Sequence, residues 1–170
     1  NNPWNVSRGF PGSHSVKLMK EKLLNWKLNG ELNVPVFDKS LRNGLGDRSH
    51  WRTDNPDLLI IEGWFLGIEP LSSDINYEHK NSADLSPHES SYRCIIQNNL
   101  KKYLDVWSLI DNIWHLKPLN FEYMNMWKSF QEKEMLLQKG NALQDEKLSN
   151  FLRMLNVSIP HKSFDAINSY

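Results

Sequence analysis

Apolar residues recur at helical spacing over Val16, Met19, Leu23 and Trp26, with Leu24 and Leu28 widening the stripe, while Lys17, Lys20, Glu21, Lys22 and Lys27 fall elsewhere. Such a stripe predicts an amphipathic helix. Ser13 or Ser15 is its expected N-cap, and Gly30 is its expected stop. The same period returns from Tyr92, where Ile95, Ile96, Leu100, Tyr103, Leu104 and Trp107 form the face expected to be buried. A further helix is predicted from Phe121 to Lys139, closed by Gly140, and another from Asp145 to Leu155 with Leu148, Phe151, Leu152 and Leu155 on one side.

Between the helical stretches lie shorter apolar runs. Val34 to Phe37 reads as a short strand, and Leu58 to Ile61, apolar on consecutive positions, reads as a strand buried on both faces of a parallel sheet. Ile110 to Leu116 is a third strand candidate, interrupted by Asp111 and Asn112 and ended by Pro118. Asn1 to Gly12 is an irregular approach segment with the turn dipeptide Pro11-Gly12, Ser72 to Ser91 a long surface loop, and the tail after Pro160 loses periodicity. Strand-helix-strand units follow from this alternation, so an α/β fold is expected, with residues 1–170 as one domain.

Charge narrows the classes of function. Twenty basic residues balance twenty acidic ones, so no net field draws the chain onto nucleic acid or an anionic membrane. Any anion binding must be local. The single Cys94 forms no internal disulfide and reads as core on an apolar helix. No apolar run approaches the roughly 20 residues of a spanning helix, and Asn1-Asn2-Pro3-Trp4 lacks the order of a signal peptide. A cytoplasmic protein is the expectation.

The chemistry concentrates between residues 34 and 70. An acid and a glycine, Glu62-Gly63, follow the apolar run, at the place where α/β sheets bind ligands. A carboxylate there suits a Mg²⁺ shell or an incoming hydroxyl. Upstream, Asp38, Lys39, Arg42, Asp47 and Arg48 crowd one loop that also holds Asn43-Gly44 and Gly46. Arginine offers a planar fork to carboxylate or phosphate and aspartate an acceptor for a hydroxyl, although charged loops are commonly just solvated. Arg8 and His14 precede a helix N-terminus, which favours anions. Lys128, Gln131 and Glu132 share about a turn of the predicted 121–139 helix, as a solvated face or as a lid that places a cation over phosphates. The other histidines lack metal-ligand spacing, and no Ser-His-Asp or Cys-His arrangement is visible.

Placed side by side, R-G-F-P-G-S-H at 8–14, P-V-F-D-K-S at 35–40, G-L-G-D-R at 44–48 and L-L-I-I-E-G-W-F-L-G at 58–67 resemble the D-glycerate 3-kinase family. These are P-loop kinases related to uridine kinase, phosphoribulokinase and pantothenate kinase. Weaker matches follow in order at 99–107, 116–118, 127–132 and 145–151. The resemblance implies ATP-dependent, Mg²⁺-assisted phosphorylation of D-glycerate to 3-phosphoglycerate on a P-loop-kinase-like parallel sheet flanked by helices. It implies Glu62, Asp38 and Lys39 as catalytic residues, with Glu62 also the metal-holding acid. Arg8, His14, Asp47 and Arg48 would hold the substrate, and Lys128 and Gln131 would belong to the phosphate-side lid.

Several departures bear on that expectation. The phosphate-binding pattern G-x-x-x-x-G-K-[ST] does not occur in the 170 residues, nor does the acidic Asp-Asp-Phe-Tyr-like strand end. Ser15 stands where the family usually has Asp, Phe37 where Tyr is common, and Lys128 where Arg is usual. The sheet is therefore expected to be incomplete, without the P-loop strand or the last strand. The chain alone is expected to be inactive, with exposed apolar faces and strand edges. Three situations would follow: pairing with a separate chain that carries the P-loop half or with itself, a gene fragment, or a non-catalytic remnant that binds ligand. A kinase for another small hydroxylated acceptor, such as a nucleoside or pantothenate, is the remaining alternative.

Overall fold

The computed structural model describes residues 2–71, 85–120, 122–139, 142–143 and 145–165. In chain order they form α1 (Val16–Asn29), β1 (Leu32–Asp38), β2 (Asp47–Asp54), α2 (Pro87–Leu100), a 3-10 turn (Lys101–Tyr103), α3 (Leu104–Trp107), α4 (Glu122–Lys139), α5 (Asp145–Val157) and α6 (His161–Asp165). The α/β class holds.

α1 ends as its glycine predicts. Gly30 adopts φ 75° and returns its N–H to the Trp26 carbonyl at 2.7 Å, a conformation that costs a residue without Cβ little. At the other end Ser15 makes no side-chain cap. Ser13 instead organises the preceding turn, its Oγ accepting from the N–H groups of Gly9 and Phe10 at 2.9 and 3.1 Å.

The sheet differs from the expected one. Among the described residues it is a two-stranded antiparallel hairpin, from Leu32 opposite Asp54 to Asp38 opposite Asp47, irregular between Pro35 and Phe37. Proline brings no N–H to a ladder, so a break beside Pro35 is where one belongs. The predicted strands 58–61 and 110–116 join no ladder. Leu58 and Ile60 are 74% and 76% exposed, and Trp114 and Leu116 both 90%. A consecutively apolar strand needs neighbours on both sides, and the described residues supply none.

Three other expectations are corrected. The stretch expected to be loop up to Ser91 turns helical at Pro87: the Ser86 Oγ accepts from the Glu89 N–H and the Glu89 carboxylate from the Ser86 N–H. This is a capping box followed by proline, which the helix start tolerates. Ile95 and Cys94 are exposed rather than core, because the face of α2 that turns inward runs through Ile96 and Leu100. The tail forms α6 after Pro160. Gly140 and most of the 72–91 stretch lie outside the described residues.

The core gathers Trp4, Val6 and Phe10 from the N-terminal segment, Phe65 and Ile68, then Ile96, Leu100 and Tyr103, and finally Met154, Leu155, Val157 and Ile159 from α5 and its end. Tryptophan N–H groups tie these distant pieces to one another: Trp64 donates to the Gly9 carbonyl at 2.6 Å, Trp107 to Ile68 at 3.1 Å and Trp26 to Pro56 at 2.8 Å. A large ring fills space while its single donor finds a buried acceptor. Among the described residues no helix is long and apolar enough to cross a membrane.

At the centre sits a buried carboxylate. Glu89, 7% exposed, receives both Nε and Nη2 of Arg153 at 2.8 and 2.9 Å, the Trp4 indole N–H at 3.0 Å and the Ser86 N–H at 2.9 Å. The Arg153 hydrogen bonds, despite desolvation and with help from Ser86 and Trp4, hold its carboxyl down to about 2. A folded value below the ordinary one means that the ionised form stabilises the fold. That contribution is complete above about pH 4.5 and disappears as pH falls towards 2. Glu89→Gln should therefore cost on the order of 2–4 kcal/mol at pH 7 by chemical denaturation. The gap between variant and parent should narrow across that acidic window. Equal denaturation curves at pH 7 would remove the pair's structural role.

Candidate functional site

The stretches singled out in the sequence meet in space around the backbone of residues 8–14. Arg8 reaches the turn between β1 and β2, donating from Nη1 to the carbonyls of Gly44 and Leu45 at 2.9 and 2.8 Å, with its guanidinium 5.8 Å from the centre of the Phe37 ring. On the other side of this segment, the Trp64 bond to Gly9 brings in the stretch that begins at Glu62-Gly63. Below Gly9 lies the Phe151 ring, 3.5 Å from where a Cβ would stand. Lys128 of α4 rests its Nζ 5.2 Å from the centre of that same ring.

The hairpin turn is shaped by its own side chains. Asp38 Oδ1 accepts from the Ser40 N–H and hydroxyl at 2.8 and 2.6 Å, and these bonds hold its carboxyl below the usual range. Asp38 thus starts the turn as an ionised acceptor. Asp47 Oδ1 accepts from the Arg48 N–H and its Oδ2 lies 3.6 Å from Arg42. Arg42, Asn43, Gly44 and Gly46 all have positive φ. At Gly46 an added Cβ would stand 2.5 Å from the Phe37 ring and 3.3 Å from Arg8 Nη1, so only glycine lets the turn close under the guanidinium.

His14 is set against Tyr103, its Nδ1 3.0 Å from the phenol oxygen, and lies 5.8 Å from Phe65 between ring centres. Desolvation lowers its pKa. Lys128 donates to Gln131 Oε1 at 3.0 Å and to Glu132 Oε1 at 2.5 Å. Glu132 is 4% exposed and also accepts the Leu143 N–H at 2.7 Å. Burial opposes its charge, but Lys128, that N–H and the charge of Lys39 together hold its carboxyl below the usual range. The hairpin and α4 therefore feel one another through Lys39 and Glu132. An open depression of about 400 Å³ beside them is lined by Met124, Trp127, Lys128, Gln131 and Leu155.

Glu62 is exposed and makes no hydrogen bond or ion pair with the described residues, and the same holds for the side chain of Arg48. No group of three or more His, Cys, Asp or Glu among the described residues converges as metal ligands. Tyr103, Phe151 and the buried state of Glu132 were not visible as site features. Each acts through a contact between segments far apart in sequence.

The chain is similar to several kinases. The chain is 30% identical over 161 residues to the uncharacterized kinase mug58 of Schizosaccharomyces pombe, with 89% of this chain and 57% of that protein covered. It is 30% identical over 165 residues to the probable ATP-dependent kinase TDA10 of Saccharomyces cerevisiae, covering 89% and 54%. The structure superposes on D-glycerate 3-kinase from Cryptococcus neoformans with a TM-score of 0.79 and 29% identity, over 93% of this chain and 59% of that one. This chain is thus similar, over most of its own length, to kinases of a glycerate-kinase-like family. It spans little more than half the length of these relatives. No protein-family model matches it. The α/β fold with an antiparallel hairpin thus matches a kinase fold over most of this chain.

The turn gives a direct test of the clamp. Gly44→Ala, at φ 86° with nothing within 4 Å of the new Cβ, should cost about 1 kcal/mol from backbone strain alone. Gly46→Ala should cost more and open the turn at 40–46 to limited proteolysis, because the methyl group displaces Phe37 or Arg8. Equal costs for the two variants would show that Phe37 and Arg8 do not close over Gly46.

Proposed function

We propose that the chain provides the acceptor side of an ATP-dependent kinase that phosphorylates D-glycerate on its 3-hydroxyl. The observation that carries this reading is that two blocks distant in sequence, 37–48 and 62–68, both meet the 8–14 segment in a chain that superposes on a D-glycerate 3-kinase. Arg8 and Arg48 offer positive charge to the glycerate carboxylate, with His14 and Asp47 as partners for hydroxyls. Asp38 and Lys39 sit on the same turn, and Lys39 acts on Glu132 of α4, the partner of Lys128, with Gln131 beside Lys128. In the transfer, the 3-hydroxyl oxygen bonds to the γ-phosphorus of ATP, the bond to ADP breaks, and the hydroxyl proton leaves to a base. Glu62 is the carboxylate offered for that base or for Mg²⁺. Magnesium keeps several waters and takes only one or two protein carboxylates, so an exposed acid without a competing partner fits it. The metal, when bound, would neutralise phosphate charge.

The phosphates of ATP need a cradle of backbone N–H groups and a lysine, and no G-x-x-x-x-G-K-[ST] pattern occurs in this sequence. We therefore assign the donor side to residues beyond these 170, in a longer form of the protein or in a separate chain. That same absence favours the second reading, a ligand-binding remnant without catalysis. A coupled ADP-release assay with ATP, Mg²⁺ and D-glycerate separates the two. The 170 residues alone should show no turnover, and turnover should appear when a polypeptide bearing a P-loop half is added. Turnover by the 170 residues alone would mean that they hold a phosphate site of another kind, and a panel with a nucleoside and pantothenate would expose a different acceptor.

A further inference from the structure

The buried phenol of Tyr103 faces His14 in a way that decides where the histidine's proton lies. Tyr103 is 1% exposed, and its oxygen accepts the Gly12 N–H at 3.1 Å. A phenol has one hydrogen to give. The acceptor within reach is His14 Nδ1, at 3.0 Å. Were Nδ1 protonated, its N–H would also point at the phenol oxygen, and the tyrosine hydrogen would be left in the core without an acceptor, a costly arrangement. One pattern satisfies every group: Gly12 N–H to Tyr103 Oη, Tyr103 O–H to His14 Nδ1, and the imidazole hydrogen on Nε2. No hydrogen bond from Nε2 to the described residues competes for that hydrogen.

The backbone is arranged for this contact. Gly12 has φ 101°, and a Cβ there would run into the Asn99 side chain, so glycine allows the N–H to reach the phenol. Phe65 packs beside the imidazole and Trp107 beside the phenol, at 5.8 and 5.4 Å between ring centres. The histidine ring is thus fixed in both orientation and tautomer.

The geometry points to Tyr103 as a positioning residue, which locks His14 so that it offers the acceptor a neutral Nε2–H hydrogen-bond donor. A donor of this kind suits a carboxylate or hydroxyl oxygen of a small hydroxy acid. This rests on the reading of His14 as an acceptor-site residue, whereas the lock itself stands on the tyrosine contact. Desolvation of His14, which disfavours its charged form, agrees with a neutral ring.

Nitrogen-resolved NMR of the histidine rings, on the 170-residue chain at neutral pH, reads the tautomer directly. Nδ1 of His14 should resonate as the bare nitrogen and Nε2 as the one that carries hydrogen. Tyr103→Phe keeps the ring and removes the donor, so the His14 signals should move to a mixture of tautomers. A protonated Nδ1 in the parent chain, or an unchanged pattern in Tyr103→Phe, would overturn the proposal. If Tyr103→Phe does not fold, the parent spectrum alone decides. Titration with D-glycerate should then shift the Nε2 signal of the parent and bind Tyr103→Phe several-fold more weakly. A locked tautomer that D-glycerate leaves unmoved would overturn the role of His14 at the acceptor while the lock survives, so the two ideas fail separately.

Discussion

The bidentate pair between Glu89 and Arg153 is the contact on which the rest of the fold is hung. Its carboxylate joins α2, α5 and, through the Trp4 indole, the N-terminal segment, and it accepts from the Arg153 guanidinium, the Trp4 indole N–H and the Ser86 N–H. A buried ion pair rarely adds much net stability over apolar residues of the same shape, since desolvation offsets the attraction. Its value here is directional. Apolar packing alone would let the N-terminal segment slide across α2 and α5, whereas an acceptor with fixed lone pairs admits one register. Removing one partner leaves a charge in the core, so the arrangement is either complete or strongly destabilised.

That register matters because the N-terminal segment carries Arg8, Gly9, Gly12 and His14 only a few residues beyond Trp4. Trp4 at Glu89, Gly9 at Trp64 and Gly12 at Tyr103 are successive points at which the segment is held, each to a different element. Between them the chain has no repeating secondary structure, and side-chain donors and acceptors satisfy its backbone groups instead. The candidate site therefore inherits its rigidity from the aromatic core. Loops that position chemistry in this way depend on the scaffold behind them.

How much of this could be read beforehand follows from the range of each interaction. α1 and its glycine stop, α4 and α5 were legible because helix periodicity and capping act within a few residues. β2 was not: Asp47-Arg48-Ser49-His50-Trp51-Arg52-Thr53-Asp54 is exposed along its whole length and lacks the alternation that marks a half-buried strand. It pairs through backbone bonds to β1, and the Asn43-Gly44 turn was its one local signal. The apolar runs at 58–61 and 110–116 misled in the opposite sense, since hydrophobicity states what a strand would bury and not which neighbour is at hand. That Arg8 would spend its donors on the Gly44 and Leu45 carbonyls, and that Glu132 would be buried against Lys128, depend on contacts across 36 residues or on the packing of a whole helix.

Those contacts also sort the cations of the site. Lys128 is matched by Glu132 and Lys39 lies in the field of that same carboxylate, while Arg42 has Asp47 nearby. The Arg42 pair is largely exposed and contributes at most about 1 kcal/mol. Arg8 is different: its hydrogen-bonding partners are neutral carbonyls, so its donors are engaged but its charge is not cancelled. Arg48 has no acidic side chain in contact among the described residues. In a chain with no net charge, a local positive surplus therefore remains at the hairpin turn, where Arg8 reaches the Gly44 and Leu45 carbonyls and Arg48 follows Asp47. A charge engaged by backbone carbonyls is held in place, whereas the Arg48 side chain has no hydrogen-bonding partner among the described residues to hold it. Charge that is already held in place needs no reorganisation to act on what approaches it.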